Sequence, residues 1–141
     1  MADTSEFDSS GQGPSPPPRK GARREPRLEM RRYFCDDRCR LSLVGEVRHG
    51  SAESLLGKVQ EMFESGCRYV LLDLSEVSYC DTAGLQSLVQ IYKYLQGRTD
   101  LTFIIFAPEG MVMETLRTCR FDKFLQITQD MSILNEGWQP G

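Results

Sequence analysis

The chain has 141 residues, of which 40% are hydrophobic, and this length and composition suit one domain with its own core. The formal net charge of −3 is unevenly distributed, because residues 19–32 hold seven Lys or Arg against two Glu, whereas residues 33–141 hold ten bases against fifteen acids. An acidic domain argues against direct DNA binding, which depends on clustered basic side chains that face phosphates. No stretch approaches the ~20 consecutive apolar residues of a membrane-spanning helix, so no membrane span is predicted.

The first 30 residues lack apolar periodicity and contain the proline-rich stretch SSGQGPSPPP. Prolines cannot donate backbone hydrogen bonds and the polar residues cannot build a core, so residues 1–30 are predicted to form a disordered arm. The second half of this arm is basic and could contact an anionic partner, although a solvated tail is the simpler interpretation. The folded domain is accordingly expected to span residues 31–141.

Two apolar stretches, RRYFCD and RLSLVGEV, predict a pair of strands joined as a hairpin. Ser51 is predicted to cap a first helix that ends at Gly66. Its buried face should consist of Leu55, Val59, Met62 and Phe63, which follow the i, i+4, i+7, i+8 spacing. The uninterrupted apolar run YVLLDL then predicts a central strand that is covered on both faces or flanked by helices.

A second amphipathic helix is predicted up to Gly97, with a buried face formed by Leu85, Leu88, Val89, Tyr92 and Leu95. LTFIIFA follows as another buried strand. A third helical face consists of Val112, Thr115, Leu116 and Cys119, and FLQIT predicts a short last strand. Strands that alternate with helices in this way imply right-handed β-α-β crossovers, so the fold class is α/β with a mainly parallel sheet.

Five cysteines, at positions 35, 39, 67, 80 and 119, are an odd number and are interpreted as reduced thiols in a cytoplasmic protein. Cys35 and Cys39 form a C-x3-C pair, but no second pair accompanies it and His49 is the only histidine. No metal site and no cofactor are therefore predicted. Because His49 lies in a polar stretch and no Gly-rich phosphate loop is present, no catalytic residue is assigned and the chain is not expected to be an enzyme.

The stretch SYCDTAGLQ, residues 78–86, places a carboxylate, a hydroxyl and two small residues between a buried strand and a helix. Asp81 or Thr82 can cap the helix, which should begin near Gly84. A cap alone does not require Gly84, since glycine costs a helix about 0.5–1 kcal/mol relative to alanine. The small residues Ala83 and Gly84 would instead let a partner protein or a phosphate group come close to the Thr82 hydroxyl.

The segment VLLDLSEVSYCDTAGLQSLVQIYKYL, with Asp73, Asp81, Gly84 and Leu85, resembles the signature of STAS domains, the family of bacterial anti-sigma factor antagonists. LVGEV and LTFIIFAPEGMVMETLRTCRFDKFLQI are similar to earlier and later segments of that family. The resemblance implies a mixed, mainly parallel sheet of four to five strands packed with amphipathic helices. It also implies that the chain competes for an anti-sigma factor with serine/threonine kinase activity, with a cognate phosphatase as a further partner.

In that family the residue after the motif aspartate accepts a phosphoryl group and is usually serine. Here it is Thr82, and Ala83 stands where a second serine is common, so the resemblance implies Thr82 as the phosphorylation site that regulates sigma-dependent transcription. The partner surface should combine this turn, the exposed side of the following helix and the Gly45–Gly50 loop. The expected contact residues are Cys80, Asp81, Thr82, Ala83, Gly84, Gln86, Gln90, Lys93 and Glu46.

Two other interpretations stay open. Asp73 follows VLL as the phosphoacceptor aspartate does in phosphorelay receivers, and Asp36 with Asp37 could supply their acid pair, but LTFIIFAPEG offers no receiver lysine. Asp73 is more simply a turn carboxylate that accepts backbone N–H bonds. In the other interpretation, the chain is a non-switching STAS scaffold subunit of a lipid-transport or chemosensory assembly, in which the same motif contacts a partner ATPase or signalling protein.

Overall fold

The computed structural model describes residues 28–50 and 52–141, and this part of the chain forms a six-stranded sheet with three α-helices. The strands are β1 (Leu28–Cys35), β2 (Arg38–Val47), β3 (Tyr69–Cys80), β4 (Thr102–Phe106), β5 (Gln126–Thr128) and β6 (Gln139–Pro140). The helices are α1 (Leu55–Glu64), α2 (Thr82–Leu95) and α3 (Met111–Thr118). Short 3₁₀ turns lie at Ala52–Ser54, Phe121–Lys123 and Met131–Asn135.

The strand order across the sheet is β5-β4-β3-β2-β1-β6. The pairs β2–β3, β3–β4 and β4–β5 are parallel, and the pairs β1–β2 and β1–β6 are antiparallel. The predicted α/β class with a mixed, mainly parallel sheet is confirmed. The sheet has more than the predicted four to five strands, because β6 pairs Gln139 with Phe34 at the edge of the sheet. This strand could not be predicted from the sequence, since it has only two residues and so shows no hydrophobic periodicity.

The predicted hairpin is confirmed, since β1 and β2 pair in continuous register from Leu28↔Gly45 to Cys35↔Arg38. The strand begins three residues before the expected domain start at residue 31 because Leu28 and Met30 pack against the hydrophobic core. The remainder of the predicted arm, residues 1–27, lies outside the described residues.

All three helices contribute to one core on one face of the sheet. In α1 the predicted residues Leu55, Val59, Met62 and Phe63 are all buried. The helix ends as expected before Gly66, whose φ of +116° favours glycine. The predicted cap Ser51 lies outside the described residues, and the helix is entered through the 3₁₀ turn at Ala52–Ser54.

The buried stripe of α2 differs from the predicted one. Leu88 is buried as expected, but Leu85, Val89, Tyr92 and Leu95 are only partly buried, and the centre of the stripe is formed by Gly84, Ser87, Leu88 and Ile91. A hydropathy pattern does not identify glycine and serine as core residues. Ser87 can nevertheless be buried, because its hydroxyl donates to the carbonyl oxygens of Ala52 at 2.8 Å and Ala83 at 3.2 Å. In α3, Val112 and Leu116 are buried as predicted and Thr115 is partly exposed, whereas Cys119 lies just after the helix and is exposed.

The opposite face of the sheet carries a polar network around Asp73, whose side chain is only 4% exposed. Asp73 accepts hydrogen bonds from the Ser75 backbone N–H at 2.9 Å and the Ser42 hydroxyl at 3.0 Å, and it pairs with the Arg40 guanidinium at 3.2 Å. Arg40 also lies over the Tyr33 ring and donates to the Leu134 carbonyl oxygen at 3.4 Å, which ties the C-terminal segment to the sheet. The predicted backbone hydrogen bond to Asp73 is confirmed, but Asp73 lies within β3 rather than in a turn, and its pairing with Arg40 was not predicted.

The acid arrangement of a phosphorelay receiver does not form. Asp73 pairs in register with Ser42, whereas Asp36 and Asp37 lie in the hairpin turn before Arg38. Four strand residues span about 13 Å, so Asp73 is far from Asp36 and Asp37. Among the described residues, no cluster of three or more His, Cys, Asp or Glu side chains is arranged to hold a metal ion.

Cys39 and Cys67 form a disulfide, so the prediction that all five cysteines are thiols is wrong. Cys67 lies in the turn between α1 and β3, and the parallel pairing of β2 with β3 brings this turn beside Cys39, with 6.1 Å between the Cα atoms. A separation of 28 residues in the chain gives no sign of this proximity, which arises only when the strands pair. Cys35, Cys80 and Cys119 are free thiols.

The polar network on the second face provides a test of what stabilises the sheet. Arg40→Met keeps an aliphatic side chain against Tyr33 but leaves the buried Asp73 carboxylate without its cation. We expect the free energy of unfolding, measured by urea denaturation, to fall by about 3 kcal/mol.

The matched control is Arg68→Met, which breaks the pair with Asp100, whose side chains are 58% and 67% exposed. Its expected effect is below about 0.5 kcal/mol, because exposed ion pairs are screened by solvent. Equal losses in the two variants would show that Asp73 does not depend on Arg40.

Candidate functional site

The junction between β3 and α2 is built around Asp81, which caps the helix. Its extended backbone lets one carboxylate oxygen accept the Gly84 backbone N–H at 3.1 Å, while the other accepts the His49 backbone N–H at 3.2 Å. The Asp81 N–H donates to the Val47 carbonyl oxygen at 3.1 Å. Of the two predicted caps, Asp81 has this role, and the helix begins at Thr82 rather than near Gly84. Asp81 therefore joins the loop after β2 to the first turn of α2.

Thr82 is the exposed residue of the turn 80–84. Its neighbours Cys80, Asp81 and Ala83 are partly buried, and Gly84 is buried. Thr82 is also the first residue of α2, where backbone N–H groups point out of the helix and the helix dipole favours negative charge. A phosphoryl group on this hydroxyl would therefore project into solvent at a position that stabilises an anion.

The electrostatic surroundings of Thr82 are set by Asp81 and the loop after β2. Hydrogen bonds from the N–H groups of Gly84, His49 and Ala83, together with the positive charge of Arg48, hold the pKa of Asp81 below its ordinary value of 3.8. Asp81 is consequently a fixed negative charge at neutral pH. The Arg48 guanidinium pairs with Glu46 and lies 4.7 Å from the centre of the Tyr79 ring.

Gly84 has a packing role that the sequence interpretation missed. A Cβ atom at this position would lie 2.6 Å from the Cys80 sulfur and 2.8 Å from Cγ1 of Val47. Glycine is thus required because α2 passes very close to the ends of β2 and β3. The expectation that Gly84 leaves open surface beside Thr82 is wrong, because Gly84 lies on the buried face of α2.

The remaining predicted contact residues fall into two groups. Glu46 is partly buried at the end of β2, and Gln86, Gln90 and Lys93 are exposed on the outer side of α2. The structure brings the Gly45–Gly50 loop against the 80–84 turn, as expected, through the hydrogen bonds of Asp81 to Val47 and His49. Lys93 is about three helical turns beyond Thr82, roughly 16 Å along the axis, so it lies outside the turn itself.

Sequence reasoning missed several residues of this surface. Tyr79 is 39% exposed, and Arg48 packs over its ring. Leu85, Val89 and Tyr92, which were predicted to be core, form a partly exposed apolar strip along α2, and Tyr92 contacts Phe124 with 5.0 Å between ring centres. The amphipathic pattern of α2 was the available signal, but it cannot decide which edge of an apolar stripe faces solvent.

The site is a surface rather than a pocket. The apolar cavity beneath the first turn of α2 measures only about 10 Å³, and its lining includes Leu43, Val47, Cys80 and Gly84. That volume corresponds to about one water molecule. Burial raises the pKa of the Cys80 thiol beside this cavity to about 11, with a further contribution from the charge of Asp81, so Cys80 is protonated at neutral pH. A ligand of this site would have to bind across the exposed turn and helix.

This architecture is that of a STAS domain. Residues 32–132 match the family model of the STAS domain, and the chain therefore belongs to that family. A solved anti-sigma factor antagonist from Mycobacterium paratuberculosis superposes with a TM-score of 0.66, at 20% identity, over 77% of this chain and 92% of its own. The phosphorylated form of SpoIIAA, the Bacillus cell fate determinant, superposes with a TM-score of 0.54, at 14% identity, over 79% of this chain and 97% of its own. These two likenesses establish the fold.

A curated relative matches a shorter stretch. Sulfate transporter 3.1 of Arabidopsis thaliana is 33% identical over 64 residues, which are 45% of this chain. This chain spans only about a tenth of that relative, since the match covers 10% of the transporter. Within the described part of the chain, no helix is both long enough and apolar enough to cross a membrane.

Because of the close packing at Gly84, replacing glycine with alanine should change the free energy of unfolding in opposite directions at Gly84 and at Gly57. Gly84→Ala should lower the free energy of unfolding by about 1–3 kcal/mol, because the new methyl group overlaps the Val47 and Cys80 side chains. Gly57→Ala is the control, since Gly57 is inside α1 and its added Cβ meets nothing within 4 Å. That variant should gain about 0.5–1 kcal/mol from helix propensity. Thermal or urea unfolding measures both, and a stabilised Gly84→Ala protein would contradict the packing described here.

The Asp81 cap makes a prediction about acid stability. Because the folded-state pKa of Asp81 is lowered, its contribution is fully present above its ordinary pKa of 3.8 and is lost as the pH falls through the still lower folded value. An NMR titration of the carboxyl carbons should place the Asp81 midpoint below 3.8. In Asp81→Asn this loss of stability at low pH should disappear from the plot of unfolding free energy against pH. An NMR titration midpoint of Asp81 above the ordinary pKa would rule out the capping arrangement.

Proposed function

We propose that this chain is an anti-sigma factor antagonist that acts by binding an anti-sigma factor with serine/threonine kinase activity and is switched off by phosphorylation of Thr82. The chain would thereby regulate sigma-dependent transcription from the cytoplasm. It acts as a binding partner rather than as an enzyme, and a cognate phosphatase restores the binding form. The observation that carries the proposal is the exposed hydroxyl of Thr82, directly after the capping Asp81 and at the first position of α2.

The fold supports this proposal. Proteins described as anti-sigma factor antagonists share it, and one of them has been solved in a phosphorylated form. The surface that we propose for the partner consists of the turn and the outer side of α2, with Glu46 at its edge. Its residues are Cys80, Asp81, Thr82, Ala83, Gln86, Gln90 and Lys93, while the buried Gly84 supports the turn from below.

The proposed switch would act on the partner more than on the fold. Phosphorylation adds about −1.5 to −2 charges and three acceptor oxygens to Thr82. The N-terminus of α2 accommodates that charge, so the domain stays folded. The phosphate would stand beside the ionised Asp81, and the combined charge would repel an acidic partner surface and obstruct close docking. Binding would be lost without unfolding.

A second candidate function is a non-switching STAS scaffold in a transport or signalling assembly, such as a lipid-transport or chemosensory complex. The match to 64 residues of a sulfate transporter favours it, because it shows a related stretch within a transport protein. Affinity purification of the chain from its native cells, followed by mass spectrometry, discriminates between the two. Enrichment of a kinase with an anti-sigma role supports the first function, and enrichment of transporter subunits supports the second.

Substitutions at Thr82 separate its two proposed tasks. Thr82→Ala should abolish phosphorylation by the partner kinase with ATP and Mg²⁺ but keep binding, and Thr82→Ser should keep both. Thr82→Glu should weaken binding at least about tenfold, because it adds charge and bulk at the docking point. Phosphate mapping by mass spectrometry and isothermal titration calorimetry are the measurements.

Thr99→Glu is the charge-matched control, since Thr99 is an exposed threonine beyond the other end of α2. This variant should bind the partner as the parent does. Phosphate mapped to another residue would exclude Thr82 as the acceptor. A folded Thr82→Glu protein with parental affinity and no phosphorylation of the parent would favour the scaffold function.

A further inference from the structure

The Cys39–Cys67 disulfide lies at the opposite end of the sheet from Thr82. Cys39 is the second residue of β2, and Val47, which contacts the first turn of α2, lies at the other end of the same strand. Eight strand residues correspond to about 26 Å. The disulfide therefore closes a loop containing α1 without touching the surface proposed for partner binding.

The surroundings of the two sulfurs suit both redox states. Cys39 and Cys67 are 0% and 6% exposed and belong to the same hydrophobic core as Val59, Met62 and Val70. A free thiol packs as a small apolar side chain, so the reduced pair would also fill this space. The Cα separation of 6.1 Å lies within the usual range for disulfides, so the bond can form with little backbone movement.

We infer that Cys39 and Cys67 form a reversible redox lock, meaning a disulfide that stabilises the folded domain when it is oxidised. Cys67 is the site at which this pair exchanges with small-molecule disulfides of the oxidised glutathione type. Cys67 is the entry point because it is the more exposed of the two residues, at 6% against 0%, and lies in the turn between α1 and β3. The inference does not depend on the function proposed for Thr82. It concerns the folding stability of the domain rather than its binding surface.

The exchange proceeds in two balanced steps. The Cys67 thiolate attacks one sulfur of the small disulfide, forming a mixed disulfide and releasing one small-molecule thiol. The Cys39 thiolate then attacks the Cys67 sulfur of the mixed disulfide, which forms the Cys39–Cys67 bond and releases the second thiol. Two protein thiols are oxidised and one small disulfide is reduced to two thiols, while the protons of the protein thiols pass to the two leaving thiolates.

Formation of the Cys39–Cys67 disulfide should raise the unfolding temperature of the domain. Cross-linking two residues 28 apart restricts the unfolded chain, so the oxidised protein should melt on the order of 10 °C above the reduced protein. Differential scanning calorimetry of the full chain, with and without reductant, measures this shift. The shift should vanish in Cys39→Ala, and identical melting of oxidised and reduced parent would overturn the inference.

The order of the two steps is tested by trapping. The reduced chain is incubated with oxidised glutathione, digested without reductant and mapped by mass spectrometry. The parent should give a peptide pair joined through Cys39 and Cys67. Cys39→Ala should accumulate glutathione on Cys67, because the second step is blocked, whereas Cys67→Ala should leave the fully buried Cys39 unmodified.

The free cysteine Cys119 serves as an internal control. Cys119 is exposed and should be modified in every variant, which shows that the reagent is active. Absence of the joined peptide in the parent, or equal modification of Cys39 in Cys67→Ala and of Cys67 in Cys39→Ala, would overturn the proposed lock.

Discussion

The close approach of helix α2 to the end of strand β2 is the contact on which the surface proposed for partner binding depends. It exists because Gly84 has no side chain, so that the Val47 and Cys80 side chains can lie directly beneath the helix. This contact sets the rotation of α2 about its axis. Thr82 then points outward, Ser87, Leu88 and Ile91 point inward, and Leu85 lies at the boundary. Asp81 secures the arrangement by bonding both the helix and the neighbouring loop.

The two faces of the sheet have different roles. One face carries the helices and an apolar core, whereas the other carries the Arg40–Asp73 pair and is joined to the C-terminal segment through Leu134. Buried charge is costly unless it is fully paired, and here Asp73 has a cation, a hydroxyl and a backbone N–H as partners. This network stabilises the second face without involving the surface around Thr82.

The surface around Thr82 is suited to a change of charge. Asp81 is already ionised there, and Glu46 and Arg48 neutralise each other at its rim. A phosphate on Thr82 would thus alter the local charge strongly, while the first turn of α2 offers N–H groups and a dipole that tolerate it. Under the proposed function, such a site would signal through partner affinity, because the helix N-terminus accommodates the added charge and the domain is expected to stay folded.

Much of this protein could be predicted from the order of its residues. The apolar run YVLLDL, the helical spacing of Leu55 to Phe63 and the DTAGL motif determined the α/β class, the order of the elements and the position of Thr82, because these are local patterns with a period of their own. The family followed from the same motif. For the candidate site, the sequence indicated the turn and the outer side of α2 but placed the start of the helix two residues late.

The features that the sequence did not predict depend on contacts between segments that are distant in the chain, and no local sequence pattern indicates such contacts. Parallel pairing of β2 with β3 brought Cys39 to Cys67 and Ser42 to Asp73. Gln139 and Pro140 form a strand only because they pair with β1 at the edge of the sheet, since two residues are too few to show a hydrophobic period. The role of Gly84 also depended on tertiary structure, because glycine has no hydropathy signal and its necessity is defined only by the side chains of Val47 and Cys80 that pack against it.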